Sequence, residues 1–450
     1  MKNLRLLAPL TLIAALSACG GGKDSTVSAP TNFSMQAQDS QFYMSWDASP
    51  GVEYWVFCDP NQQTIDSHTS NLHPGRLYYR GIYASGNQST VSYYATGVTN
   101  GTQYACTVNG RTDGGAGGPD AVPQYGTPGY AGSTWRDGNT ASLSGMSLRS
   151  VAFGLPAGQS LTADQFVAVG TNGKLVVSSA LDANASLTWG TPSQAGNATL
   201  NAVSFYTPAN QFVAVGEDGS VAYSVTMSSW SSANMPDAAG VSMHAVTSTG
   251  SPLIAVGGNG AAQGFIYSSA NGAGPWSQVS GIGSKTLRSV VHVPDATPYW
   301  IAVGDEGVVL RSTDGATWTS STPAGSSLNF RGVAMLPVTN AANTVISYRV
   351  VAVADNGTVL FSSDGNTWSS SNVSGAAFVA VNAGKGQFMA IDSAGNAYTS
   401  NQTVNSWSWS SGVPTGLSSP LAVLRYTPNF AAVSNGWMVF DTAGKQRVAK

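Results

Sequence analysis

Three arginines occupy equivalent places in the chain, and they are the residues best suited to hold a ligand. Each follows a large apolar residue and stands two residues before a valine, as in Leu148-Arg149-Ser150-Val151, Leu287-Arg288-Ser289-Val290 and Phe330-Arg331-Gly332-Val333. A guanidinium binds a carboxylate through two parallel hydrogen bonds, so such a set can form an anion- or peptide-binding patch. The same chemistry would pair the arginines with acidic turns of the chain itself, for which Glu217-Asp218, Asp305-Glu306 and Asp355 are candidates. Both interpretations remain open.

Other reactive residues are scarce, which argues against an enzyme. The 450 residues include three glutamates and four histidines, and 9% of the chain is charged. His68 and His73 share a polar stretch that lacks the further ligands of a metal site, and His244 and His292 fall within apolar strand patterns. The chain has no GxSxG, HExxH or phosphate-loop motif. We therefore expect no catalytic residue, no metal and no cofactor, and a net charge of −3 predicts no nucleic-acid partner.

The arginines belong to a segment that recurs along the chain. Seven similar apolar strands begin 43 to 52 residues apart, at Leu148, Leu200, Met243, Leu287, Phe330, Phe378 and Leu421. Each of the first six is followed by a second apolar strand that ends in a turn, as in Val215-Gly216-Glu217-Asp218-Gly219, and then by a third strand and a fourth that opens on tryptophan. Four short antiparallel strands at this period predict the blades of a β-propeller.

The seventh copy is incomplete, and a segment upstream of the first copy can complete it. Strands are predicted at 421–426, 430–433 and 437–440, without a fourth after them. Thr134-Trp135 matches the opening of a fourth strand and stands just before the first copy. We expect this N-terminal segment to form the outer strand of the last blade and to close a seven-bladed ring, because closure removes the open edges that promote aggregation.

One turn appears twice in nearly the same form. Residues 311–318, RSTDGATW, return at 361–368 as FSSDGNTW. Both turns resemble the Asp box of sialidases and BNR-repeat proteins, with one residue fewer between the aspartate and the glycine. The resemblance implies that the aspartate bonds amides of its own turn, the glycine takes an unusual dihedral and the tryptophan packs between blades. These structural residues are Ser312, Asp314, Gly315, Trp318, Ser362, Asp364, Gly365 and Trp368.

The repeat as a whole resembles a known group of propellers. Its elements Leu-Arg-x-Val, Ala-Val-Gly-x-x-Gly and Ser-x-Asp-Gly-x-Thr-Trp are similar to those of the photosystem II stability/assembly factor-like BNR propellers, over residues 130–450. In such propellers the ligand face carries the loops that precede strand one, which would place Arg149, Arg288 and Arg331 on that face. A sialidase also gathers three arginines, but its chemistry needs a tyrosine paired with a glutamate and an aspartate acid/base, and glutamate is nearly absent here.

The N-terminus predicts export and lipidation. Lys2 and Arg5 form a positive region, and the apolar run 6–16 is too short for an ordinary membrane-spanning helix. Leu16-Ser17-Ala18-Cys19 resembles the lipobox of bacterial lipoproteins, which implies that residues 1–18 are a signal peptide and that Cys19 carries the lipid. Residues 19–29 would then be a flexible tether from the outer membrane, with its orientation open. A plain secretory signal with an incidental cysteine is the alternative.

Residues 30–129 predict a separate all-β unit. Residues 42–46 and 53–58 alternate as strands, and the run 98–108 resembles the fibronectin type III pattern, in which an Asn-Gly turn leads into a strand with a tyrosine. The resemblance implies a two-sheet sandwich in which Tyr104 takes the place of a tyrosine corner. Once Cys19 is assigned to the lipid, Cys58 and Cys106 remain, and an oxidising compartment favours a disulfide between them. We expect the unit to be a spacer or a binding surface.

Two functional hypotheses follow for this all-β chain. The first is a non-enzymatic, lipid-anchored envelope protein whose propeller is a platform for a protein or peptide. The second is a surface protein that binds or hydrolyses glycans. Alanine substitution of Arg288 and Arg331 separates the two, through loss of a co-purifying partner or loss of turnover on a glycan panel.

Overall fold

The computed structural model describes most of the chain from residue 27 to residue 449. The ranges outside the description are 1–26, 39–40, 62–64, 66–74, 85–87, 113–114, 130–131, 133–134, 140, 155–164, 180–185, 261–262, 281–282, 284, 323–327, 341–343, 385, 402–407, 427–435 and 450. The chain divides into two compact units, and the division falls between Pro128 and Gly129. Cys19, His68 and His73 lie outside the described residues.

No helix among the described residues is long and apolar enough to cross a bilayer.

The first unit is a sandwich of two antiparallel sheets. Its strands are β1 (Ser34–Gln38), β2 (Gln41–Asp47), β3 (Glu53–Pro60), β4 (Leu77–Ile82), β5 (Thr90–Thr96), β6 (Tyr104–Arg111) and β7 (Gln124–Gly126). One sheet has the order β1-β2-β5 and the other the order β4-β3-β6-β7. Side chains alternate along β2, so that Phe42, Met44 and Trp46 are buried between the sheets while Tyr43 and Ser45 face outward.

Two features tie the sandwich together as the sequence indicated. Cys58 and Cys106 lie directly opposite each other on β3 and β6 and form a disulfide inside the core. The hydroxyl of Tyr104 accepts a hydrogen bond from the amide of Thr99 at 3.0 Å, which is the contact of a tyrosine corner. By the chain-entropy argument, a disulfide that closes a loop of 48 residues contributes roughly 3–4 kcal/mol to stability.

The second unit is a β-propeller, in which the described residues form seven four-stranded sheets. After β8 (Trp135–Asp137), blades one to three use β9 (Leu148–Gly154), β10 (Gln165–Gly170), β11 (Lys174–Val177), β12 (Ser193–Gln194), β13 (Leu200–Tyr206), β14 (Gln211–Gly216), β15 (Ser220–Ser224), β16 (Ser231–Asn234), β17 (Val241–Val246), β18 (Leu253–Asn259), β19 (Gly264–Ser269) and β20 (Trp276–Val279). Blades four to six use β21 (Leu287–Val293), β22 (Tyr299–Gly304), β23 (Val309–Ser312), β24 (Thr319–Ser320), β25 (Phe330–Thr339), β26 (Val345–Ala354), β27 (Thr358–Ser362), β28 (Ser369–Asn372), β29 (Phe378–Gly384), β30 (Gln387–Asp392), β31 (Asn396–Asn401) and β32 (Val413–Pro414).

Blade seven closes the ring as predicted, although its strands differ from the prediction. It consists of β33 (Pro420–Tyr426), β34 (Gly436–Asp441), β35 (Gln446–Ala449) and the N-terminal strand β8. Arg447 and Asp137 lie opposite each other on β35 and β8 and form an ion pair across the closure. The interpretation of 437–440 as a third strand is wrong, because this strand pairs with both β33 and β35 and is the second. The segment 430–433 lies outside the described residues.

The first strands of the blades form the inner ring. Each first strand contacts the first strand of the next blade, and β33 contacts β9, so the ring closes. The hydrophobic clusters lie between blades: one joins blades two and three around Val213, Met243 and Tyr267, and another joins blades four and five around Ile301 and Phe330. Because each blade buries one face against each neighbour, second strands such as β14 are buried throughout and read as continuous apolar runs.

Candidate ligand-binding face of the propeller

The first strand of every described blade contains a β-bulge at the same position. The pairing between the first and second strand skips one residue near the start of each first strand. The skipped residues are Arg149, Asn201, His244, Arg288, Arg331, Val379 and Leu421, which we call the bulge ring. A bulge leaves one residue outside the ladder and re-aims its side chain. Since the first strands are innermost, the seven residues surround one end of the propeller axis.

Two of the three predicted arginines lie in adjacent blades and are held by aspartates. Arg288 donates from Nη2 to Asp305 Oδ2 at 2.6 Å and from Nε to the same carboxylate at 3.1 Å. Arg331 donates from Nη2 to Asp355 Oδ2 at 2.6 Å, and its Nη1 lies 3.7 Å from Asp305 Oδ1. Asp305 therefore stands between guanidiniums of blades four and five. The structural interpretation of the arginines corresponds to these contacts.

His244 extends this arrangement into blade three. Its Nε2 lies 3.3 Å from Arg288 Nη1, and because arginine only donates, the imidazole nitrogen is the acceptor. Burial, and next the positive charge of Arg288, lower the pKa of His244 to about 4, so the ring is neutral at physiological pH. We call His244, Arg288, Asp305, Arg331 and Asp355 the arginine network. It carries two positive and two negative charges.

The arginine network is anchored but not enclosed. The side chains of Arg288 and Arg331 are 32% and 33% exposed. Among the described residues, Nη2 is the only nitrogen of Arg331 with a hydrogen-bond acceptor. Aspartates therefore fix the direction of both guanidiniums while leaving N–H groups available to a ligand. The arrangement can bind a carboxylate or a main-chain carbonyl.

Arg149 does not join the other two arginines. It is exposed on blade one, and the turn of its own blade, Thr171–Gly173, has no carboxylate. No described acidic residue pairs with it. Two of the three predicted arginines therefore lie together in the arginine network. The bulge ring also includes Asn201 and His244, which were not predicted as binding residues. The available signal was their position, since both follow Leu200 and Met243 as Arg288 follows Leu287.

The two Asp-box turns are built in the same way. Asp314 Oδ1 accepts from the amides of Ala316 and Thr317 at 2.8 and 2.7 Å, and Ser312 Oγ accepts from Gly315 at 2.9 Å. Asp364 Oδ1 and Ser362 Oγ make the equivalent bonds in blade five, to the amides of Asn366, Thr367 and Gly365. Trp318 and Trp368 pack against the clusters between blades three and four and between blades four and five. All eight residues of the two signatures thus make structural contacts.

Blades two and three contain the same turn without the full signature. Ser224 Oγ accepts from the amides of Thr226 and Met227, and Trp230 Nε1 donates to Met227 O at 3.1 Å, as Trp318 does to Gly315. In blade three, Ser269 Oγ accepts from Gly272, and Asn271 takes the place of the aspartate. The serine thus persists in both turns and the aspartate in neither, while the glycine persists as Gly272 in blade three and Met227 takes its positive φ of 65° in blade two. These two turns were missed from the sequence.

Two of the three glutamates lie in tight turns between second and third strands. Glu306 pairs with Lys285, and Glu217 lies in the tight turn Glu217–Gly219. His292 is buried, stacks on Trp300 with ring centres 4.7 Å apart, and its Nδ1 lies 3.2 Å from Thr249 Oγ1. Within the described part of the chain, no three His, Cys, Asp or Glu side chains are grouped closely enough to hold a metal ion.

Comparison with known proteins places the propeller fold among solved structures. Neither a known protein family nor a curated protein sequence matches the chain. The WD40 β-propeller domain of Doa1 is 9% identical, covers 70% of this chain and 97% of its own, and superposes with a TM-score of 0.50. YCF48 from Cyanidioschyzon merolae is 16% identical, with coverage of 70% and 98% and a TM-score of 0.49. YCF48 bound to a D1 peptide is 14% identical, with coverage of 70% and 94% and a TM-score of 0.49. At these identities the likeness concerns the fold alone.

Proposed function

We propose that the protein is a lipid-anchored, non-enzymatic component of the bacterial envelope, and that its bulge ring binds a segment of a partner protein or a peptide. The observation that carries the proposal is the arginine network, in which aspartates hold the partly exposed Arg288 and Arg331 side by side in adjacent blades. Pre-oriented guanidiniums bind carboxylates and carbonyls at a smaller entropic cost than free ones.

The residue types around the ring favour an extended partner segment over a small metabolite. The candidate residues come from seven blades, and their chemistry changes around the ring from arginine to asparagine, valine and leucine. A peptide presents charged, polar and apolar groups within one molecule and can match such a ring. Among the possible acid and base side chains, Glu306 is paired with Lys285 and His292 is stacked on Trp300.

The partner proposal is tested with the full-length, membrane-extracted protein. We expect the wild type to co-purify a defined partner from detergent-solubilised envelopes, and the Arg288→Ala/Arg331→Ala variant to lose it. Arg288→Lys/Arg331→Lys keeps the charge and removes the forked donors, so it separates directional binding from charge attraction. Arg149→Ala tests whether the ring beyond the network contributes. An unchanged partner with the double alanine variant, or glycan hydrolysis that depends on the two arginines, would overturn the proposal.

The membrane anchor is tested separately. We expect the protein to take up labelled fatty acid and to fractionate with membranes, and Cys19→Ser to abolish both. Two or three acyl chains give firm anchoring, whereas a plain secretory signal would leave the mature protein in the aqueous fraction. Labelling that persists in Cys19→Ser would contradict the anchor.

A further inference from the structure

The outer face of the three-stranded sheet in the sandwich carries an ordered row of polar and aromatic side chains. On β2 and β5, three outward pairs lie directly opposite each other: Tyr43 with Tyr94, Ser45 with Ser92, and Asp47 with Thr90. The residues between them, such as Phe42 and Trp46, are buried in the core. The face therefore changes along the strands from aromatic to hydroxyl to carboxylate.

The two tyrosines form one platform. Their ring centres are 5.1 Å apart with an interplanar angle of 43°, and both side chains are half-buried. Tyr43 Oη lies 3.0 Å from Ser92 Oγ, which connects the aromatic part of the face to the hydroxyl part. Ser34 Oγ on β1 lies 2.8 Å from Ser45 Oγ and continues the hydroxyls across the sheet. We call Ser34, Tyr43, Ser45, Thr90, Ser92 and Tyr94 the tyrosine–serine face.

A concavity lined by polar residues borders the tyrosine–serine face. Its volume is about 540 Å³, and Gln88, Ser89, Thr90 and Ser92 line it. These side chains offer hydroxyls and an amide, which both donate and accept hydrogen bonds, and none of them carries a charge. Beyond them, Asp47 Oδ2 is already bonded by Thr31 Oγ1 and Asn32 Nδ2. This concavity and the aromatic pair are separate observations that meet at Ser92.

We propose that the tyrosine–serine face binds a neutral glycan chain. A pyranose ring has an apolar C–H face that packs on an aromatic ring, and hydroxyls at its rim that both donate and accept hydrogen bonds. Tyr43 and Tyr94 supply the first surface, and the serines with Gln88 supply the second. These pairs offer no cationic side chain to an anionic polymer, because their one charged residue is Asp47. A protein partner would need an apolar anchoring pocket, and this concavity is lined by polar side chains.

This site lies in a different unit from the bulge ring, so the two proposals stand or fall independently. The full-length protein is run in native gels that contain dextran, hydroxyethyl cellulose or galactomannan, with alginate as the anionic comparison. We expect retardation by at least one neutral polymer. Tyr94→Ala should weaken that retardation about tenfold or more, because it removes half of the aromatic platform. Tyr43→Phe keeps the ring, loses the bond to Ser92 and should have a smaller effect.

Tyr83→Ala is the matched control, since Tyr83 is a 58% exposed tyrosine of the same unit outside the paired rows. It should leave retardation unchanged, and intact unfolding midpoints show that each variant folds. The proposal is overturned by migration that no neutral polymer alters, by retardation in alginate alone, or by equal retardation of wild type and Tyr94→Ala. Capture of a protein through Tyr43 and Tyr94 without any polysaccharide binding would also overturn it.

Discussion

The blades repeat two local structures, and the two repeat in different ways. In the Asp-box turn the side chains themselves recur, with serine, aspartate, glycine and tryptophan in blades four and five. At the bulge the backbone recurs in all seven blades, while the side chain changes among arginine, asparagine, histidine, valine and leucine. The Asp-box turns of blades four and five therefore repeat their side chains, whereas the bulges repeat only their backbone geometry.

The difference separates structure from recognition. A turn that must fit against the preceding blade depends on the hydrogen bonds of its serine, so the serine recurs in blades two to five. A bulge is defined by the backbone alone, so its residue can vary with the ligand. If this is right, substitutions in the turns should change stability, and substitutions in the bulge ring should change binding with little effect on stability.

The largest effect is expected from Gly365→Ala, which disturbs the turn both through its backbone conformation and through a steric collision. Gly365 has φ +71°, and an added Cβ would lie 2.6 Å from Tyr299 Cε2 and 2.9 Å from Ile301 Cδ1 of the preceding blade. Backbone strain and the collision together should lower the free energy of unfolding by about 2–4 kcal/mol, measured by urea denaturation. Gly375→Ala is the control, because Gly375 has φ +80° and nothing within 4 Å of an added Cβ. It should cost about 1 kcal/mol. Equal losses would mean that the contact between blades contributes nothing.

Acid should expose the contribution of the turn aspartate. Hydrogen bonds from the amides of Thr317 and Ala316, and then from the Ser312 hydroxyl, lower the pKa of Asp314 from 3.8 to about 2. A carboxylate whose pKa falls on folding adds stability above its unfolded pKa, and that stability disappears as the pH drops from about 4 to 2. The urea midpoint of wild type should therefore exceed that of Asp314→Asn at pH 5, and the gap should close toward pH 2. Asp364 is common to both proteins and cancels. A gap that stays constant over this range would contradict the mechanism.

The bulge ring should respond weakly in the same stability assay. The ion pair of Arg331 with Asp355 is about one-third exposed on both sides, so solvent and salt screen it. A double-mutant cycle of Arg331→Ala and Asp355→Ala should give a coupling of about 0.5–1 kcal/mol that decreases as salt rises. Partner capture, in contrast, should be lost. A coupling of several kcal/mol would make the arginine network a structural element and remove its distinction from the turns.

The sequence predicted what depends on short-range chemistry. Glycine turns, apolar second strands and recurring tryptophans are local signals, and they led to seven blades and to closure through the strand at Trp135. The turn in blade two was not predicted because Thr226 and Met227 stand in place of the aspartate and the glycine, although Ser224 still accepts the main-chain amides and Met227 takes a positive φ of 65°. The residue pattern of the Asp box is absent from this turn, although equivalent hydrogen bonds form.

The register of long-range strand pairs could not be read from the sequence. The bulge exists only in the register between first and second strands, and no residue type marks it. The platform of Tyr43 and Tyr94 likewise depends on the register of two strands separated by about fifty residues. The third strand of blade seven was missed because polar Gln446, which begins it, is buried beneath the closure, where its Oε1 accepts from the amides of Asn139 and Leu187.

The smallest effect is expected from restoring the missing aspartate in blade three. Asn271 Oδ1 already accepts from the amide of Ala273 at 3.0 Å, so the turn is formed, but by a neutral acceptor. Asn271→Asp replaces it with a charge-assisted hydrogen bond and should raise the free energy of unfolding by about 0.5 kcal/mol at pH 7, with the gain disappearing in acid. Asn271→Ala removes the acceptor and should lower the urea midpoint. Partner capture should be unaffected by either change, because the turn joins the outer two strands of the blade. If the aspartate lowers stability, the serine and the backbone alone define this turn, and its recurring aspartate in blades four and five needs another explanation.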